Sequence, residues 1–129
     1  MVQHLSPEWV DLQRSAADDL PERPGATARL QHVVTGAPDG EVVYRIAIVD
    51  GRVTEAVLGR DDADADCTFL EGHADAVLIA KGDLDLHVGF MQGRVKMSGD
   101  MGRLMAVLPV TQSEDYKAVL ARAAADTEF

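Results

Sequence analysis

The side chains able to do acid–base, nucleophilic or metal chemistry are few in this 129-residue sequence, and their spacing suits none of it. Histidines stand at His4, His32, His73 and His87 without an HxxxH or HxH pair, and Cys67 is the only thiol. A zinc site draws several such ligands together from short spacings, so no metal is expected. Cys67 with His73 would be a nucleophile and its base, but their separation is arbitrary and a cysteine on an apolar strand is ordinarily inert. The carboxylate pairs Asp61 with Asp62 and Asp83 with Asp85 fall in polar turns, where nothing would raise one pKa over the other. Gly82, Gly89, Gly93, Gly99 and Gly102 match neither the dinucleotide fingerprint nor the phosphate loop, so no cofactor is expected.

What does cluster is methionine. Apart from Met1, all of it lies in one window, at Met91, Met97, Met101 and Met105. Methionine is flexible and polarizable, and fills irregular gaps or lines surfaces that adapt to apolar guests. Gly89 falls inside an apparent helix, where alanine would be better by about 1 kcal/mol, which suggests close backbone approach or vacant volume. Core stripes and pocket linings share one periodicity, so spacing alone leaves a plain core and a ligand cavity both open.

The elements that would position these residues follow from period and punctuation. Ser6-Pro7-Glu8 starts a helix over about 7–19, and Pro21, Pro24 and Gly25 end that arm. Alternation predicts a strand over 28–34 with one wet face, a second over 42–48, a turn at Asp50-Gly51 and a third strand over 52–58. The run 60–66 is a solvated loop, and 67–71 reads as a fourth strand. Helical spacing follows at Ala74, Val77, Leu78 and Lys81, then at Leu84, Val88 and Met91 up to Gly93. Val95 and Met97 mark a fifth strand. Asp100 caps a helix carrying Met101, Leu104, Met105 and Leu108 until Pro109 stops it, and a last helix carries Tyr116, Val119, Leu120 and Ala123. The class is α+β with the helices gathered on one sheet face. We divide the chain into a helical arm at 1–25, a main body at 26–110 and a C-terminal helix at 111–129.

Composition narrows the partners. With 47% apolar and 26% charged residues the chain suits one ordinary domain able to bury a core. A lone cysteine fits a reducing compartment, and the start MVQHLSPEW has no basic region followed by an apolar run, so a cytoplasmic protein is expected. The apolar stretches near 76–80 and 104–110 are too short to span a bilayer. A net charge of −10 repels polyanions, which excludes nucleic acid as a natural partner. Only 81–103, with Lys81, Arg94, Lys96 and Arg103 against three acids, runs the other way.

The words Gly82-Asp83-Leu84-Asp85-Leu86 and Phe90-Met91-Gln92-Gly93-Arg94-Val95-Lys96-Met97-Ser98-Gly99-Asp100-Met101 closely resemble the hallmark stretch of the sterol carrier protein domain family. The resemblance implies a five-stranded, largely antiparallel sheet covered on one face by helices, with an apolar tunnel between the layers for fatty acyl chains, acyl-coenzyme A or sterols. Two departures matter. Thr127-Glu128-Phe129 is not a Ser-Lys-Leu-type peroxisomal address, and the heavy Arg, Ala, Val and Asp usage with three lysines points to GC-rich bacterial coding, which argues against sterol.

The leading expectation is a non-catalytic lipid binder in which Val77, Leu78, Phe90, Met91, Met101, Leu104 and Met105 face Phe69 and Met97 across an acyl chain. At roughly 0.8 kcal/mol per buried methylene, a chain of about fourteen to sixteen carbons yields on the order of 11–13 kcal/mol gross. Arg94, Lys96 and Arg103 would hold its head group. A second reading is an accessory module for an enzyme of lipid or quinone metabolism, with the tunnel filled by its own side chains. A third is a small isomerase or hydrolase using His73, His87 or an acid.

Overall fold

A computed structural model describes all 129 residues. The order is β1 (Val2–Gln3), α1 (Pro7–Ser15), β2 (Ala28–Thr35), β3 (Val42–Val49), β4 (Arg52–Leu58), β5 (Cys67–Gly72), α2 (His73–Lys81), α3 (Leu86–Met91), β6 (Val95–Gly99), α4 (Met101–Thr111), α5 (Glu114–Ala125) and β7 (Thr127–Glu128). Five strands form one sheet in the order β4-β3-β2-β5-β6, antiparallel except where β2 meets β5 in parallel. The α+β class and the mostly antiparallel five-stranded sheet are therefore as the residues and the resemblance imply. No helix is long and apolar enough to cross a membrane.

Caps set the helix starts. Ser6 Oγ accepts from the Trp9 N–H, Asp85 from those of His87 and Val88, Asp100 from that of Arg103 and Ser113 from that of Tyr116. Each satisfies donors that a first turn leaves unpaired. At the start of α4, Gly99 has φ +114° and lies so close to the Asp66 carbonyl oxygen that any Cβ would collide with it. Gly89 is explained by close approach: a Cβ there would meet Val95 Cγ2 at 3.1 Å and Leu84 Cδ2 at 3.3 Å, so a side chain would fit only if these neighbours gave way by a few tenths of an ångström.

Two expectations are corrected, and one contact was not foreseen. Strand β2 is central and its second face is wet only at its ends, at Arg29 and Thr35, because Gln31 and Val33 between them are buried along with Leu30, His32 and Val34. Its outer side is roofed by the acidic loop, where Gln31 Nε2 donates to Asp62 Oδ1 at 2.8 Å and Gln31 Oε1 accepts from the Asp61 N–H at 2.8 Å. The bond from Gln31, and then Arg60, also hold the Asp62 carboxyl below its usual range. Pro109 does not stop α4, which runs on to Thr111. Proline costs a helix one hydrogen bond and a clash one turn back, and packing of Val107 and Val110 in the core outweighs it here. Finally, β1 and β7 pair in parallel and tie the two ends together, a contact between two-residue segments that carry no strand signal.

The core joins the sheet to both flanking helices. Trp9 and Val10 of α1 and Val119 of α5 belong to the same buried cluster as Leu30, Ile48 and Phe69 of the sheet.

Candidate functional site

The helix-covered face of the sheet carries a row of three rings. In register, Tyr44 of β3 stands opposite His32 of β2, and His32 opposite Phe69 of β5. His32 stacks on Tyr44 at 4.8 Å between centroids with planes 6° apart, and on Phe69 at 5.1 Å and 27°. Trp9 of α1 meets Tyr44 edge-on at 5.2 Å. Alternation puts Leu30 and Ile46, two positions along, on this same face. Two positions beyond Phe69, Glu71 turns the same way, and its Oε1 lies 3.1 Å from His32 Nδ1.

Above this row lies a cavity of about 110 Å³ between sheet and helices. One water needs only about 10–15 Å³ of such space, so this is a pocket rather than a packing fault. Its roof comes from Ile79 and Ala80 of α2, Leu86, His87 and Phe90 of α3, Leu104 and Leu108 of α4, and Tyr116 and Leu120 of α5. It reaches the surface beside Gly82 and Lys117, both of which are exposed members of its wall.

Of the nine side chains expected to grip an acyl chain, Phe69, Phe90 and Leu104 line this cavity. The other six lie outside its wall. On α2 the inward stripe is Ala76, Ile79 and Ala80, so Val77 and Leu78 fall on the neighbouring stripe, half-buried. On α4 the inward stripe is Leu104, Val107, Leu108 and Thr111, which turns Met101 and Met105 outward to 44% and 55% exposure. Met91 of α3 is 72% exposed, and Met97 of β6 packs at the margin of the core. At 100° per residue, a stripe misplaced by one position faces the wrong way.

The three expected head-group cations also sit elsewhere. Arg94 is bound by Asp75, at 2.6 Å from Nη2 and 3.1 Å from Nε. Lys96 alternates with buried Val95 and faces solvent, as does Arg103. The cation at the rim is instead Lys117, beside Glu114 at 3.4 Å.

Titratable groups near the floor are held uncharged or paired. Burial, and then the nearby Glu71 and Tyr116, pushes the Tyr44 hydroxyl well above its ordinary range, and burial raises Tyr116. Cys67 is buried, its thiol is pushed up by burial and by Asp66 and Asp100, and Sγ donates to the Asp100 carbonyl at 3.2 Å. It begins β5, whereas His73 follows the end of that strand, about 20 Å away at 3.3 Å per residue; the two do not form a dyad. No three of His, Cys, Asp or Glu gather as metal ligands would.

Sequence reasoning missed Trp9, His32, Tyr44, Ile79, Leu108, Tyr116 and Leu120 as cavity residues. The alternation of His32 and of Tyr44 with polar neighbours was a usable signal for their shared face. Their adjacency was not, because it requires the strand register.

A family model described as the SCP-2 sterol transfer family matches residues 11–112. Among solved structures, a sterol carrier protein 2 superposes with a TM-score of 0.69 at 16% identity, covering 92% of this chain and 97% of that one. A Thermus thermophilus protein described as possibly a sterol carrier protein gives 0.61 at 17% identity, covering 92% and 80%. The palmitated SCP2L2 of Aedes aegypti gives 0.59 at 20% identity, covering 82% and 90%. No protein of curated function matches the chain by sequence.

Proposed function

Because the chain belongs to the SCP-2 sterol transfer family, we propose that it binds one fatty acyl lipid, without chemical change, between its sheet and its helices. The observation that carries this reading is the apolar cavity bounded by Phe69 and Ile46 below and Ile79, Phe90, Leu104 and Leu108 above. The palmitated state of the mosquito relative supports an acyl ligand in this fold.

The mechanism is solvent exclusion. Each methylene leaving water contributes about 0.8 kcal/mol, and several must be buried before the cost of association is met. At about 110 Å³ the cavity is smaller than the roughly 300–1,000 Å³ of typical ligand sites. A long chain therefore enters only if the helices move outward. The element suited to this is α3, six residues long and flanked by Gly82 at φ +81° and Gly93 at φ +76°. Its Leu86 and Phe90 would slide over the chain while Lys117 meets the head group at the rim.

Native mass spectrometry of the purified protein tests the reading. We expect a population heavier by one acyl lipid, lost in Leu108→Arg, which puts a cation into the roof at a half-buried site. A bare chain that takes up no fatty acid at any concentration would reject it and leave the accessory-module reading in its place.

A further inference from the structure

The floor of the cavity is not uniformly apolar. His32 and Glu71 are almost completely enclosed, with side chains 6% and 1% exposed, and they face each other at 3.1 Å. Glu71 Oε2 is buried without any hydrogen-bond partner. His32 uses Nδ1 on Glu71, and neither its Nε2 nor the Tyr44 hydroxyl is bonded to any protein group, although both side chains form part of the cavity wall. Buried polar groups are ordinarily paired, and those that are not call for an explanation. A core evolved only to exclude water from an alkyl chain would place phenylalanine or leucine in this row.

We propose that His32, oriented by Glu71 and assisted by the Tyr44 hydroxyl, forms a hydrogen-bonding site for a neutral hydroxyl on the buried part of the ligand. This deepens the lipid-binding reading and rests on it. The pair fixes which ring nitrogen carries the proton, leaving Nε2 to exchange a hydrogen bond with the guest. The phenol next to it, kept protonated by its surroundings, can donate or accept as the guest requires. A hydroxyl satisfies both groups and displaces only water. A carboxylate does not fit as well: it would add a negative charge beside the buried Glu71 side chain, where the only lysine or arginine of the cavity wall, Lys117, is out at the rim. The rim cation, Lys117, is exposed at the surface and leaves the floor without help. A plain hydrocarbon end would bury the same polar atoms and strip them of water.

The test compares two ligands of equal length, dodecanol and dodecanoate, by competition against a fluorescent fatty acid on the full chain at fixed pH and salt. The wild type should bind dodecanol at least about fivefold more tightly. His32→Phe and Tyr44→Phe both keep the ring stack. Each should reduce the ratio of dodecanol to dodecanoate affinity about threefold or more, whatever it does to the affinity for either compound alone. General repulsion of anions by the acidic protein would survive both substitutions, so an unchanged ratio in both variants overturns the proposal. So does equal or tighter binding of dodecanoate by the wild type. Tyr44→Phe removes a single oxygen and carries the test alone if His32→Phe fails to fold. If neither compound binds the wild type, the lipid-binding reading falls and this site with it, a result distinct from binding without preference.

Discussion

On the sheet side of the cavity, Tyr44, His32 and Phe69 stand in one row fixed by hydrogen-bonded register. On the opposite side, Ile79, Phe90, Leu104 and Tyr116 come from four separate helices joined through loops and side chains. Phe69 is 1% exposed, whereas Phe90 is only partly covered. A strand cannot shift without losing its ladder, while a short helix between two glycines can tilt at little cost. The floor is thus where a ligand's polar group can be recognised, and the roof is where its length is accommodated.

This contrast can be broken or sharpened by experiment. Phe69→Ala should be the most damaging change, at about 3–5 kcal/mol of stability by urea unfolding. The matching Phe90→Ala should cost no more than about 1–2 kcal/mol, because that ring is partly exposed already. Equal losses would mean the two walls are equally rigid. Gly99→Ala should cost about 2–3 kcal/mol, since it combines a positive φ with collision against the Asp66 carbonyl at the foot of the sheet; an unchanged urea midpoint would show that this edge yields.

Acid should loosen the other side first. His4 packs edge-on against Trp9 at 4.9 Å and near His73 at 5.8 Å. Burial, and then His73, lowers its pKa from 6.5 to about 4. In the unfolded chain the imidazole takes up its proton at higher pH than in the folded one, so folding is fully favoured above 6.5 and loses stability as pH falls toward 4. With screening near the surface, the loss should be on the order of 1–2 kcal/mol, read from urea midpoints at neutral and acid pH, and His4→Phe should reduce it. The smallest effect is expected from Met91→Gln with Met105→Gln: a change under about 0.5 kcal/mol and no effect on fatty acid uptake, because both side chains face solvent. A clear loss of uptake would place the methionines on the ligand's path.

The sequence displayed the strands more faithfully than the helix faces, for a physical reason. A period of two has only two phases, and the apolar residues of β3 select one of them at once. A helix stripe has several phases, and on α2 and α4 the apolar residues extend around more than one, so spacing selects Val77 where Ile79 faces the cavity and does not separate Met105 from Leu108. The two-sided burial of β2 was hidden because Gln31 reads as a wet residue until the loop that covers it is seen. The His32–Glu71 pair joins positions 39 residues apart across a parallel strand pair, and no local pattern announces such a contact. What the hallmark segment did disclose is Phe90 in the cavity wall and the close approach of Gly99 to the Asp66 carbonyl, where β6 passes into α4.

The parallel clasp between β1 and β7 brings the first and last residues alongside each other, with the Val2 N–H donating to the Asp126 carbonyl at 2.7 Å and the His4 N–H to that of Glu128 at 2.9 Å. A reporter or affinity handle attached at either extremity would therefore leave from the same corner. Linking the extremities and reopening the backbone at the exposed loop around Asp39 should give a circularly permuted chain that still encloses its hollow.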